Sequence, residues 1–332
     1  MDNEFFNPYS NNTFFEFFYT LFFRMVAFFS GKLPVAEFAS DEIQLIVLSF
    51  IASSTALIGC FLTLRKMTML ANSLSHTILL GIVAAYFFTI HLYGSQAEGV
   101  STPIEIMLLA ALVMGFITTF LTEFLTKTLN MQEDASTGIV FTTLFALGIV
   151  LVTLLTRNAH IGTEIVMGNV DILRLEDSYA AGIILLIDLF FIWLFFKEFK
   201  ITTFDPALSQ ALGISPSIFN YLLMSLVSIT IIGAFRAVGV LMVLSFITGP
   251  PLAARFLTEK LRTLLILSVI IGVLACLIGV ALSRHFLSAH HLALSTGGIV
   301  VCIVALFFIF SVLYQTLRLW LVYTKPVLPP KL

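Results

Sequence analysis

The sequence predicts an all-α, polytopic integral membrane protein with about eight or nine transmembrane helices, one of them interrupted near Gly249–Pro251. Three observations carry that expectation. Of 332 residues, 59% are hydrophobic and only 11% are charged, well under the ~25% charged residues of a soluble domain. The apolar residues fall in blocks long enough to cross a bilayer, which takes roughly 20 residues per helix. The cations collect between the blocks and do so unevenly. With the N-terminus outside and nine crossings, 11 of the 17 Lys and Arg residues lie on the cytoplasmic side and 6 on the outer side, the sense of the positive-inside rule.

Taken in order, residues 1–40 form a segment of their own. The run FFEFFYTLFFRMVAFF, Phe14 to Phe29, is rich in aromatics but holds Glu16 and Arg24. It lacks the basic start and small-residue cleavage site of a signal peptide. An interfacial helix is expected there in preference to an extra span. The transmembrane domain follows over residues 41–323, with spans near 43–64, 67–90, 104–126, 138–156, 178–196, 217–235, 237–254, 263–283 and 298–322. The 237–254 stretch stands apart because Thr248-Gly249-Pro250-Pro251 falls inside it. Two prolines in an apolar block remove backbone donors and point to a kink or a break that neighbouring protein must accommodate. Residues 324–332 read as a cytoplasmic tail.

Several function classes are excluded early. The net charge of −2 offers no basic face for nucleic acid. Neither GxxxxGK[ST] nor GxGxxG occurs, so no familiar nucleotide loop is present. HExxH and GxSxG are absent, which argues against an intramembrane hydrolase. Cys60, Cys276 and Cys302 sit singly in apolar blocks and read as small hydrophobes.

Polar residues inside the spans are the next signal, because a polar side chain at that depth normally faces a pathway, a cavity or a partner. Asn72 and His76 stand four residues apart, on one helix face. Imidazole is the commonest ligand for divalent transition metals. The residues alone leave two readings open for His76, a pathway ligand or a hydrogen-bonded packing residue. Asp188 is a second mid-span ionisable group, either a pathway residue or a carboxyl paired between helices. Glu123 lies near a span end, where it can reach the interface. His285, His290 and His291 lie near the outer face at irregular spacing, as a solvated loop or a weak metal funnel.

The longest cytoplasmic loop, Lys197 to Pro216, carries FDPALSQALGI. Asp205 can cap a helix that Pro206 begins, and Gly213 can end it. Leu208 and Leu212, and likewise Ala207 and Ala211, then repeat one turn apart. A short knob facing the cytoplasm results, either lying on the membrane surface or docking a partner.

These stretches together resemble the transmembrane permease subunits of the zinc, manganese and iron ABC importers. DPALSQALGI resembles that family's coupling helix. LRKMTMLANSLSHTILLG, EDASTGIVFTTLFALGIVL, VMGNVDIL, AVGVLMVLSFITGPPLAAR and STGGIVVCIVALFFIFSVL resemble successive family signatures in the right order over roughly residues 43–315. The resemblance implies a permease without an ATPase site of its own. It implies no permanently bound cofactor, a divalent metal ion as cargo, and a place in the bacterial inner membrane. Implied partners are a separate ATP-binding subunit, an extracytoplasmic metal-binding protein, and a second permease copy or a sister permease. Asp205, Pro206, Ala207, Leu208, Ala211, Leu212 and Gly213 would form the coupling helix; His76 and Asn72 would line the metal path or gate; Gly239, Gly249, Pro250 and Pro251 would act as a hinge. Asn72 departs from the family pattern, which has aspartate there: an amide oxygen can coordinate but adds no negative charge. The competing expectation is an ion-coupled secondary transporter using Asp188 and His76, which would have no need of a docking helix at 205–213.

Overall fold

The protein, seen in a computed structural model, is described over residues 7–10, 12–34, 37–93, 104–156 and 170–323. Twelve α-helices occur among the described residues: α1 (Phe14–Phe29), α2 (Ser40–Leu64), α3 (Thr68–Tyr93), α4 (Ile104–Thr128), α5 (Glu133–Thr156), α6 (Leu175–Leu194), α7 (Phe196–Phe204), α8 (Pro206–Ala211), α9 (Pro216–Val238), α10 (Val240–Leu257), α11 (Leu261–His290) and α12 (Thr296–Tyr323). A 3-10 turn covers Val170–Ile172. Nine long helices fall where the nine apolar blocks predict them. Within the described residues, seven stretches are long and apolar enough to cross a membrane by length and composition.

The central helix is α2. It packs on α11, α10, α6 and α9, and its middle is buried almost all round. A helix apolar on every side belongs in the interior of a bundle. A second group, α3, α4 and α5, packs mutually and joins the first mainly where α4 meets α9.

Polar contacts define two ends. At the end that the cation placement assigns to the outside, called the outer end, Asp41 of α2 is ion-paired with Arg284 of α11. Gln44 donates to the Val170 carbonyl at 3.0 Å and to Asp171 at 3.2 Å, and Thr296 donates to Asp171 at 2.7 Å. Helix α1 is clipped to this same end. Arg24 pairs with Glu42 at 2.5 Å and donates to the Glu37 carbonyl at 2.9 Å. The Tyr9 hydroxyl donates to Glu42 at 2.8 Å; burial and the adjacent carboxylate raise its phenol far above the ordinary value, which keeps it a donor. Helix α1 has 16 residues, about 24 Å of rise, which is less than the ~30 Å core of a bilayer. The opposite end gathers Arg65, α7, α8, Asn220 and Arg255.

The interruption expected at Gly249–Pro251 is corrected by the structure: α10 runs unbroken through both prolines. Pro251 cannot donate to the Ile247 carbonyl four residues earlier. That freed carbonyl lies against Gly59 of α2, so closely that a Cβ on Gly59 would sit 2.1 Å from its oxygen. Packing by α2, α11 and α12 holds the helix where its own ladder is incomplete. The break in the backbone comes instead at Gly239 (φ +81°), the single residue between α9 and α10.

Candidate functional site

The inner loop is built as its residue types demand. The Asp205 carboxylate accepts from the Leu208 N–H at 2.9 Å and Pro206 opens α8. The helix closes on Gly213, whose φ of +79° suits glycine. The Ile214 N–H reaches back to the Ser209 carbonyl at 2.9 Å and the Gly213 N–H to the Gln210 carbonyl at 3.0 Å, the paired closing bonds of a Schellman motif. Ser209 is the one buried residue of α8; its hydroxyl donates to the Ile214 carbonyl at 2.7 Å. Pro206, Ala207, Leu208, Ala211, Leu212 and Gly213 are exposed. The result is a short, closed helix with small and leucine side chains outward, at the end that carries the excess of cations.

A cleft of about 400 Å³ opens beside α8. Pro206 and Gln210 line it, with Thr119, Thr122, Glu123, Thr126 and Lys127 of α4, Arg65, and Ser217 and Asn220 of α9. Helix α2 ends in a Schellman closure, Met67 N–H to Leu62 carbonyl at 2.9 Å and Lys66 N–H to Thr63 carbonyl at 3.2 Å, with Lys66 at φ +61°. That closure sets the direction of Arg65, which donates to Thr203 at 3.0 Å, Thr202 at 2.8 Å and Asn220 at 3.5 Å. Burial lowers its guanidinium to about 10, so it stays cationic at neutral pH. Sequence reading singled out Glu123 of this group but not Arg65 or the residues that hold it.

His76 lies on α3, half-buried, with its ring 5.3 Å from the ring of Phe141 and 5.4 Å from that of Phe145 on α5. Asn72, one turn toward the inner end, is exposed. No group of three or more His, Cys, Asp or Glu residues able to hold a metal occurs among the described residues. Among the described residues, the ring neighbours of His76 are Phe141 and Phe145. Beside His76, Thr77 accepts from Thr118 of α4 at 3.2 Å. From there Thr119, Thr122 and Thr126 descend α4 toward the cleft, each hydroxyl donating to its own helix.

Asp188 is fully buried. It accepts from Ser54 of α2 and from Thr230 of α9 at 2.7 Å, so it ties α6 to two other helices and has no opening to water. His285 packs against His290 with rings 6.2 Å apart, while His290 and His291 are exposed. Of VMGNVDIL, residues 166–169 lie outside the described residues; Val170 and Asp171 anchor to Gln44 and Thr296.

A model of the ABC 3 transport family matches residues 42–315, most of the chain. The chain belongs to the ABC 3 transport family. A "Probable metal transport system membrane protein" of Chlamydia muridarum is 41% identical over 303 residues, covering 91% of this chain and 93% of that one. The "Manganese transport system membrane protein MntD" of Bacillus subtilis is 34% identical over 239 residues, covering 68% and 77%. Among solved structures, PsaBC from Streptococcus pneumoniae in complex with Fab superposes with a TM-score of 0.68 at 23% identity, over 86% of this chain and 95% of that one. The two chains share a fold. As a member of the ABC 3 transport family, the protein is a multi-pass membrane permease and not an ATPase.

Proposed function

We propose that this ABC 3 permease carries a divalent transition metal ion, manganese, zinc or iron, into the cell across the inner membrane. It takes the ion from an extracytoplasmic binding protein at its outer end and is driven by a separate ATPase seated on α8. A second permease copy or a sister permease completes the path, and α1 lies at the outer membrane interface. The observation that carries the reading is α8. It is capped by Asp205, closed at Gly213 and exposed along its leucine and alanine faces, and nothing within the described chain covers it. The relatives support the cargo, because their names attach metal transport to chains of nearly the same extent. His76 supplies a neutral nitrogen donor suited to such an ion, and Asn72 an oxygen donor without charge. A site of that kind binds weakly enough to release its cargo. The hinge role falls to Gly239 and to Gly249, Pro250 and Pro251, where the prolines leave the helix ladder incomplete. The ion-coupled carrier reading would require Asp188 to meet water, and its full burial speaks against that.

The test is on α8. Leu212→Asp places a charge on its apolar face, and Gly213→Val puts a β-branched residue at a positive φ. Each should abolish ATP-driven uptake and transport-linked ATP hydrolysis in proteoliposomes while membrane insertion is retained. Full ATP-driven uptake in both variants would mean that α8 is not the motor contact.

A further inference from the structure

The cleft beside α8 holds a charge that no described residue balances. Arg65 uses three donors, all toward neutral oxygens, Thr202, Thr203 and Asn220. Among the described residues no carboxylate lies within ion-pairing distance of it. The nearby Glu123 is committed elsewhere: it accepts from Lys127 at 3.2 Å and from Asn220 at 3.0 Å. The ionisable lining is therefore Arg65, Lys127 and Glu123, one positive charge in excess. A largely buried guanidinium without a counter-ion is costly to fold. Its planar fork is shaped for a carboxylate, and the contact to Asn220 is long enough to give way.

We propose that this cleft is the socket for an acidic side chain of the ATPase subunit, with Arg65 as the anchor and Lys127 at the rim. The proposal rests on the reading of the chain as an ATPase-coupled permease. The position of the cleft selects the partner. Its walls include Pro206 and Gln210 of α8 and Ser217 at the start of α9, so a protein seated on Leu208 and Leu212 also covers the mouth. Docking then has two parts, an apolar contact on α8 and a carboxylate contact on Arg65. The second links the motor to α2, whose far end carries Asp41 and Gln44 in the outer polar network. Movement of the ATPase would pull on the central helix as well as on the loop.

The experiment measures ATPase-subunit affinity for the full-length permease in lipid nanodiscs, in neutral phosphatidylcholine and with anionic phosphatidylglycerol added, at low and moderate salt. Binding of the wild type that is lost in Leu212→Asp tests the underlying reading by itself. Given that binding, Arg65→Gln should weaken affinity about thirtyfold or more in both lipids and flatten its salt dependence, the size expected of a desolvated charge contact. Arg65→Lys should recover part of the loss. Because Arg65 also braces Thr202 and Thr203, a second arm guards against misfolding: Arg65→Glu should be rescued by an acidic-to-lysine change on the docking face of the ATPase. Unchanged ATPase affinity in Arg65→Gln overturns the proposal. So does a loss confined to anionic discs, which would assign the cleft to lipid headgroups, and so does the failure of every acidic-to-lysine change to rescue Arg65→Glu.

Discussion

His76 shows how much one position can say. The four-residue step from Asn72 fixed both on one face of α3 from the sequence alone, because helical geometry is local. Its aromatic neighbours could not be read, since Phe141 and Phe145 come from a separate helix some 65 residues later in the chain. A half-buried imidazole against two rings, with an exposed amide one turn away, is held by packing, and the proposed function makes it a metal donor. His76→Ala should therefore reduce metal uptake about tenfold or more, a loss that removal of even an outer partner of a metal ligand can produce. His76→Gln should recover little, because an amide is a poor substitute for imidazole toward a transition metal. Asn72→Asp adds the missing charge and should tighten metal retention while slowing release. Uptake and retention of radiolabelled manganese in the same vesicles check all three. Wild-type uptake in His76→Ala would leave that residue a packing role only.

At the scale of elements, local signals read well and interhelical compensation did not. The α8 cap and stop were legible because Asp-Pro and glycine act on their own backbone neighbours. The continuity of α10 was not, because what sustains it lies on α2. Proline inside a helix removes a hydrogen bond wherever it occurs; whether the helix then breaks depends on what faces the freed carbonyl. Here Gly59 faces it, and the absence of a side chain lets the two backbones meet. Gly59→Ala should destabilise the folded protein by about 1–3 kcal/mol, the usual cost of overpacking. It should lower the thermal unfolding midpoint in detergent. Gly138→Ala on α5 is the control: nothing lies within 4 Å of the added carbon, and alanine favours a helix by about 1 kcal/mol over glycine, so stability should hold or rise. Equal behaviour of the two variants would contradict the close approach of α2 and α10.

The whole molecule has a central helix, α2, tied at its outer end to Arg284 and Asp171 and at its inner end to α7 and α9. Composition made the fold class legible, and the cation placement gives only an expectation of sidedness. The end networks stayed hidden because their partners are remote in the chain, Asp41 with Arg284 across 243 positions and Gln44 with Asp171 across 127. The contacts at the two ends link the Asp41 end of α2 mechanically to α7, next to α8, and the proposed function would use that link to couple an ATPase on α8 to an ion passing His76. Uptake of radiolabelled manganese into proteoliposomes tests that most directly, using the full-length permease with its ATPase and binding protein. The account predicts uptake that requires both ATP and the ATPase, falls with Leu212→Asp, and continues when an ionophore collapses the proton gradient. Uptake driven by a proton gradient in vesicles holding the permease alone would contradict it.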